Sequence, residues 1–150
     1  MNPFARMLAI GAVAAALLSV GSFANGEDSP LVDVQKTPAS IHKVVSGGHW
    51  LQGDTEGFFR VVLTAAGVEH VSYRLYIQWI RIDTATQSYQ VVRTTGVKEV
   101  NDDSGTVLDM KVEFPELDRL KIIVKASQRA GGNAKRMVIS VKGTGPYRLQ

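Results

Sequence analysis

The sequence predicts an all-β protein, an antiparallel β-sandwich (Ig-like or related) of about seven or eight short strands, with a small β-barrel as the alternative. Three observations predict it. From residue 41 onward apolar and polar residues alternate with a period of two. Clusters of turn-forming residues recur between the alternating runs. No stretch sustains the 3.6-residue period of an amphipathic helix long enough to be useful.

The elements follow in chain order. Residues 1–24 have the three parts of a secretory signal: a positive start at Arg6, an apolar run from Met7 to Val20, and Ser22 and Ala24 at the two small-residue positions of a cleavage site. That run is shorter than the roughly 20 residues a membrane-spanning helix needs. Cleavage after Ala24 is therefore expected, leaving no transmembrane segment in the mature protein. Residues 25–40, with Pro30 and Pro38 and no sustained period, read as a flexible N-terminal arm. Residues 41–150 are then one β domain.

Within that domain, Ile41 to Gln52 reads as one or two short strands around Gly47-Gly48. Phe59, Val61, Leu63 and Ala65 form one apolar face, and Val71, Tyr73, Leu75, Ile77 and Trp79 form the next. Ile80 and Ile82 break that phase, which a bulge near Trp79 would explain. Ser88 to Val100 reads as a weaker strand pair interrupted by Gly96, followed by the turn Asn101 to Gly105. The clearest local pattern is a hairpin pairing Phe114 with Leu120, Val112 with Ile122, Met110 with Val124 and Leu108 with Ala126. The same register sets Glu113 against Lys121 and Asp109 against Lys125, so apolar and charge patterns select it independently. Met137 to Val141 forms a last strand, and Pro146 precedes a short tail. Trp79, Tyr73, Phe59 and Phe114 all fall on apolar faces and are assigned to the core.

Composition narrows the function classes. The absence of cysteine removes disulfides, thiol catalysis and lipid attachment through an N-terminal Cys. The expected compartment is the periplasm, with secretion as the alternative. Charge is unevenly placed: Arg119 to Gln150 holds eight basic residues and no acid, whereas Glu27 to Asp118 holds eight basic and 14 acidic residues. Such asymmetry can mark an interaction face. No catalytic set appears. Ser40-Ile41-His42-Lys43 fits a Ser-x-x-Lys pattern, and Lys142-Gly143-Thr144-Gly145 loosely fits Lys-Thr-Gly. The enzymes that use those patterns place the serine at a helix start and carry a Ser-Asp-Asn element, which this chain lacks.

Three sets of candidate binding residues remain. Arg129, Lys135 and Arg136 flank Gly131-Gly132-Asn133 in a loop with no nearby acid, a pattern able to hold an anionic partner. Arg60, Arg74 and Tyr76, with Trp50 near glycine-rich turns, combine guanidinium and aromatic groups of the kind that stack on sugars or hold anions. His49 and His70 with Asp54 or Glu69 form an imidazole and carboxylate set suited to zinc or copper, without a diagnostic spacing; three surface histidines near turns is the simpler account. The functional expectation is a non-enzymatic, exported β-sandwich without cofactor that binds or assists an envelope component. That partner is an anionic ligand or a protein, and no nucleic acid is expected. The alternatives are a small periplasmic metal-binding protein or hydrolase, and a small outer-membrane β-barrel. Intact-mass measurement of exported material should find Asn25 at the N-terminus; material retaining Met1 would contradict the signal-peptide reading.

Overall fold

Burial of one face of the long alternating runs underlies two four-stranded antiparallel sheets, whose edge strands Ser88–Gly96 and Arg148–Leu149 bury no residue fully. The computed structural model describes residues 34–67, 71–102, 106–127 and 133–150. The chain divides into two compact units, Met1–Gln35 and Lys36–Gln150, and every strand belongs to the second. The expected signal peptide and the arm as far as residue 33 lie outside the described residues. At the arm's end, Ser40 is tied down, its carbonyl accepting a 2.7 Å hydrogen bond from the Ala65 amide.

The first sheet orders β1 (Ile41–Gln52), β2 (Thr55–Ala66), β3 (Ser72–Asp83) and β4 (Ser88–Gly96) side by side. A single helical turn, α1 (Lys98–Asn101), leads to the second sheet, which orders β5 (Thr106–Glu113), β6 (Arg119–Ser127), β7 (Ala134–Lys142) and β8 (Arg148–Leu149). Each sheet is thus an up-and-down meander, in a sandwich-like arrangement without the interleaved strand order of immunoglobulin domains. Neither sheet closes into a barrel, so the barrel alternatives do not describe this architecture. The core lies between the sheets, built from Phe59, Val61, Leu75, Ile77 and Trp79 on one side and Leu120, Ile122, Val124, Ile139 and Val141 on the other.

Trp79 is central to this packing. Its ring is 1% exposed, meets Phe59 edge to face at 6.2 Å, and lies 4.2 Å beneath the Arg93 guanidinium. Its indole N–H donates to the Gly143 carbonyl of the second sheet's β7–β8 turn at 3.0 Å, so the residue both fills and ties the core. Close approach also dictates two glycine positions. A Cβ on Gly57 would strike the Ile80 carbonyl and the Trp50 ring. Gly48, at φ +66°, lies in the β1 bulge against the Phe114 ring, which explains the glycine pair inside a strand.

Ile41–Gln52 is one strand, the first of the two readings its sequence allows, because the bulge between Gly47 and Trp50 bends it without ending it. Other local expectations are refined or corrected. The bulge expected near Trp79 is present, but the extra residue is not in β3, whose pairing with β2 is continuous from Ser72 to Arg81. The irregularity lies in β4, where Trp79 pairs with Arg93 but Ile80 pairs with Val91, leaving Val92 as the extra residue. Ile80 instead packs on the outer face, aligned with Phe58 and Val91 on the neighbouring strands. Ser88 to Val100 is one strand and one helical turn rather than a strand pair. Beyond Gly96 the Asn101 side chain replaces a neighbouring strand, accepting from the Leu75 amide at 2.7 Å and donating to its carbonyl at 3.2 Å. In the β5–β6 hairpin the expected register holds from Glu113–Lys121 to Asp109–Lys125, but Ala126 pairs with Val107. A bulge places Leu108 outside, 55% exposed. The C-terminal tail carries β8, which pairs Leu149 with Ile139.

Replacing Trp79 with Ala should cost about 3–5 kcal/mol of stability, the range for deleting a large buried aromatic. Chemical denaturation checks this: a midpoint close to that of the wild type would show that the indole is not the bridge between the sheets.

Candidate functional site

The inward positions of β6 and β7 are Leu120, Ile122, Val124, Met137, Ile139 and Val141, all buried. Side chains alternate across a strand, so the intervening positions must face out. In β6 these are Arg119, Lys121, Ile123 and Lys125; in β7 they are Arg136, Val138, Ser140 and Lys142, with Ile123 and Val138 paired between the two groups of cations. The antiparallel register then aligns Arg119 with Lys142 and Lys125 with Arg136. Ser140 sits between Lys121 on β6 and Arg148 on β8. One sheet face thereby gathers six of the eight basic residues of the C-terminal segment. Like charges directly opposite are unfavourable within a sheet.

The local acids neutralise only one end of this face. Glu113 contacts Lys111 at 2.7 Å and Lys121 at 3.4 Å, and Glu116 contacts Arg119 at 2.8 Å. Asp109 faces Lys125 in the register without closing to an ion pair. Among the described residues, Lys125, Arg136, Lys142 and Arg148 make no ion pair. A groove of about 720 Å³ runs over this surface, bounded by Arg119, Lys121, Lys142 and Arg148 and by Pro115 and Pro146 at the turns. Its scale matches that of small-ligand sites, and its lining combines these four cations and Glu116 with apolar surface from Pro115, Leu120, Val141 and Pro146.

The turn after β7 is pinned from the opposite side. Tyr147 packs against the core, donates to Glu99 at 3.0 Å and accepts from the Lys98 amide at 3.2 Å. Burial, with the neighbouring Glu99 adding to it, raises its phenol above the usual range. These contacts hold Arg148, the next residue, at the groove.

The structure separates the residues grouped by sequence. Lys135 and Arg136 occupy adjacent positions at the start of β7 and so point to opposite faces; only Arg136 joins the basic face. Arg129 lies outside the described residues. Arg60 and Arg74 are on the outer face of the first sheet with Tyr76, where Arg60 donates to Gln78 at 2.7 Å and Gln78 to Thr94 at 3.2 Å. Trp50 does not join them: it is 2% exposed on the inner face, its indole N–H held by the Phe58 carbonyl at 3.0 Å. Of the metal-type set, His49 meets only Glu56, at 3.0 Å, Asp54 is exposed in the β1–β2 turn, and His70 and Glu69 lie outside the described residues. Among the described residues no three His, Asp or Glu side chains converge.

Sequence reasoning missed Lys142 and Arg148 as members of a site, and Arg81 and Arg93 altogether. The parity of Lys142 opposite Val141 was a usable signal; the position of Arg148 was not, since a two-residue strand leaves no alternation to read. Compared with known proteins, the chain matches no family model, no curated protein and no solved structure.

Hydrogen bonds from Lys111 and then Lys121 hold the Glu113 carboxyl below its ordinary range. A depressed carboxyl contributes stability above its unfolded-state pKa and loses it as pH falls through the lower folded-state value. Replacing Lys111 with Gln should therefore move the Glu113 titration upward, toward the ordinary carboxylate range. An NMR pH titration of the Glu113 side chain checks this, and an unchanged midpoint would mean that the Lys111 pair does not form in solution.

Proposed function

We propose that this protein is an exported, non-enzymatic binding module of the cell envelope that holds an anionic envelope component on the outer face of its second sheet. The observation that carries the reading is the alignment of Lys125, Arg136, Lys142 and Arg148 on one face without acidic partners. Cations spread across a flat sheet suit a partner with repeated negative charge, such as a phosphate-bearing lipid surface or an acidic polysaccharide, better than a single small ion. Attraction of this kind needs no bond-making group. It also gives a characteristic salt dependence, because exposed charges are screened within roughly 10 Å at 0.1 M ionic strength.

Each cation near an anionic surface is worth roughly a fivefold change in affinity. Replacing Lys142 and Arg148 together with Gln should thus weaken low-salt binding to vesicles rich in phosphatidylglycerol, or to an acidic polysaccharide, by roughly 25-fold. Both residues are exposed, so the melting temperature should hardly move. Cosedimentation and calorimetry measure the effect and tell the two partner classes apart. Absence of binding to either partner at low salt, or equal binding by the double variant, would refute the proposal.

A further inference from the structure

A second cationic feature lies at the end of the first sheet, and its chemistry differs from that of the basic face. The Val92 bulge in β4 turns Arg93 over Trp79 and opens a cleft of about 450 Å³ beside β1, β2 and the β7–β8 turn. Arg81, Arg93, Trp50 and Trp79 line it together with Gln52 and Thr55, and none of its lining residues is acidic. Both guanidinium groups are fixed by neutral partners. Arg81 donates through Nη2 to the Gln90 side-chain oxygen. Arg93 stacks on the Trp79 ring, donates through Nη1 to the Thr144 carbonyl at 2.8 Å, and reaches Thr95 through Nε at 3.3 Å.

One donor in this arrangement is left over. Arg81 Nε is buried and has no hydrogen-bond partner, the single buried side-chain nitrogen or oxygen among the described residues in that condition. A charged donor removed from water without a partner is costly, and such groups in folded proteins call for a specific explanation. Asp83, the acid closest to Arg81 in sequence, has its Oδ1 engaged by the Ala85 and Thr86 amides at 3.0 Å and meets Arg81 only as a nearby charge, without a hydrogen bond to Nε. Glu56, next to Thr55, is engaged with His49.

From this geometry we infer that the cleft is a binding site for the oxyanion of a small molecule, a carboxylate or a phosphate, held between Arg81 and Arg93. The guanidinium group suits such anions, and a cleft with two guanidinium groups and no acid in its lining favours them. Thr55 and Gln52 supply further neutral donors at the rim. The indoles contribute a wall rather than a polar contact, since their N–H groups already serve the Phe58 and Gly143 carbonyls. This site is separate from the basic face and stands or falls independently of it.

The test is titration of the purified chain with sodium phosphate and, separately, sodium acetate, at constant ionic strength maintained with chloride. Binding is followed by calorimetry and by tryptophan emission, which reports on Trp79 through the guanidinium stacked upon it. Saturable binding of at least one oxyanion with a Kd of about 1 mM or tighter is expected, and the arm that responds identifies the chemical class. Arg81→Lys, which keeps the charge but lacks the planar guanidinium, should weaken it at least tenfold. Arg93→Gln, at an exposed position, should do the same, with its fold checked by its melting temperature, and decides the matter if Arg81 variants are unstable. The Lys142/Arg148 double Gln variant should bind as the wild type does. Lack of saturable binding of both ions, or binding lost in the double Gln variant and kept in Arg81→Lys and Arg93→Gln, would overturn the assignment.

Discussion

Everything in this protein's second unit depends on the two-sidedness of a β-strand whose alternate residues must be buried. Once Leu120, Ile122 and Val124 are committed to the space between the sheets, the residues between them have no freedom to go anywhere but outward. The antiparallel register then transmits the choice to β7, where burial of Met137, Ile139 and Val141 sends Arg136 and Lys142 to the same outer surface. Hydrophobic burial thus creates the basic face as a by-product of closing the core. A slip of one residue in either strand would bury the cations and expose the apolar set, an outcome too costly to be populated.

Two separate meanders sharing one core need ties across it, because no strand passes between them. Those ties are concentrated at one end. Trp79 and Arg93 bind the carbonyls of Gly143 and Thr144, while Tyr147 reaches back to α1. Along the other margin, Lys43 donates to the Met110 carbonyl at 2.8 Å and the His49 amide to the Leu117 carbonyl at 2.6 Å. Gly143 to Tyr147 therefore forms a shared wall, with the basic groove on one side and the arginine cleft on the other. Side chains of the first sheet position the segment that shapes the site on the second.

Much of the fold was legible in the sequence, and the legible parts share a cause. The β5–β6 hairpin was readable because Val112 with Ile122 and Glu113 with Lys121 impose two independent patterns on one register. The core assignments of Phe59 and Trp79 were readable because long alternating runs surround them. Reading failed where the backbone departs from strict alternation. Leu108 looks like a core residue until a bulge removes it, and Ile80 looks like a phase error until an outer cluster with Phe58 and Val91 accounts for it. Neither feature leaves a mark in the residue types themselves, since bulges are set by strand twist and by what packs above.

By itself the sequence determined the class of fold, the positions of most strands, and the concentration of positive charge in the last quarter of the chain. These follow from local periodicity and from counting, which need no knowledge of neighbours in space. Only the tertiary structure decided which charges act together. It put Arg136 on the face with Lys142 and Arg148 and turned Lys135 away, and it placed Trp50 inside, across the sheet from Arg60 and Tyr76. It also brought Arg81 and Arg93 to one cleft and left Arg81 Nε without a partner. The physical reason is that pairing register and bulges set distances between residues far apart in the chain, whereas the alternation legible in sequence sets only which side of its own strand each residue occupies.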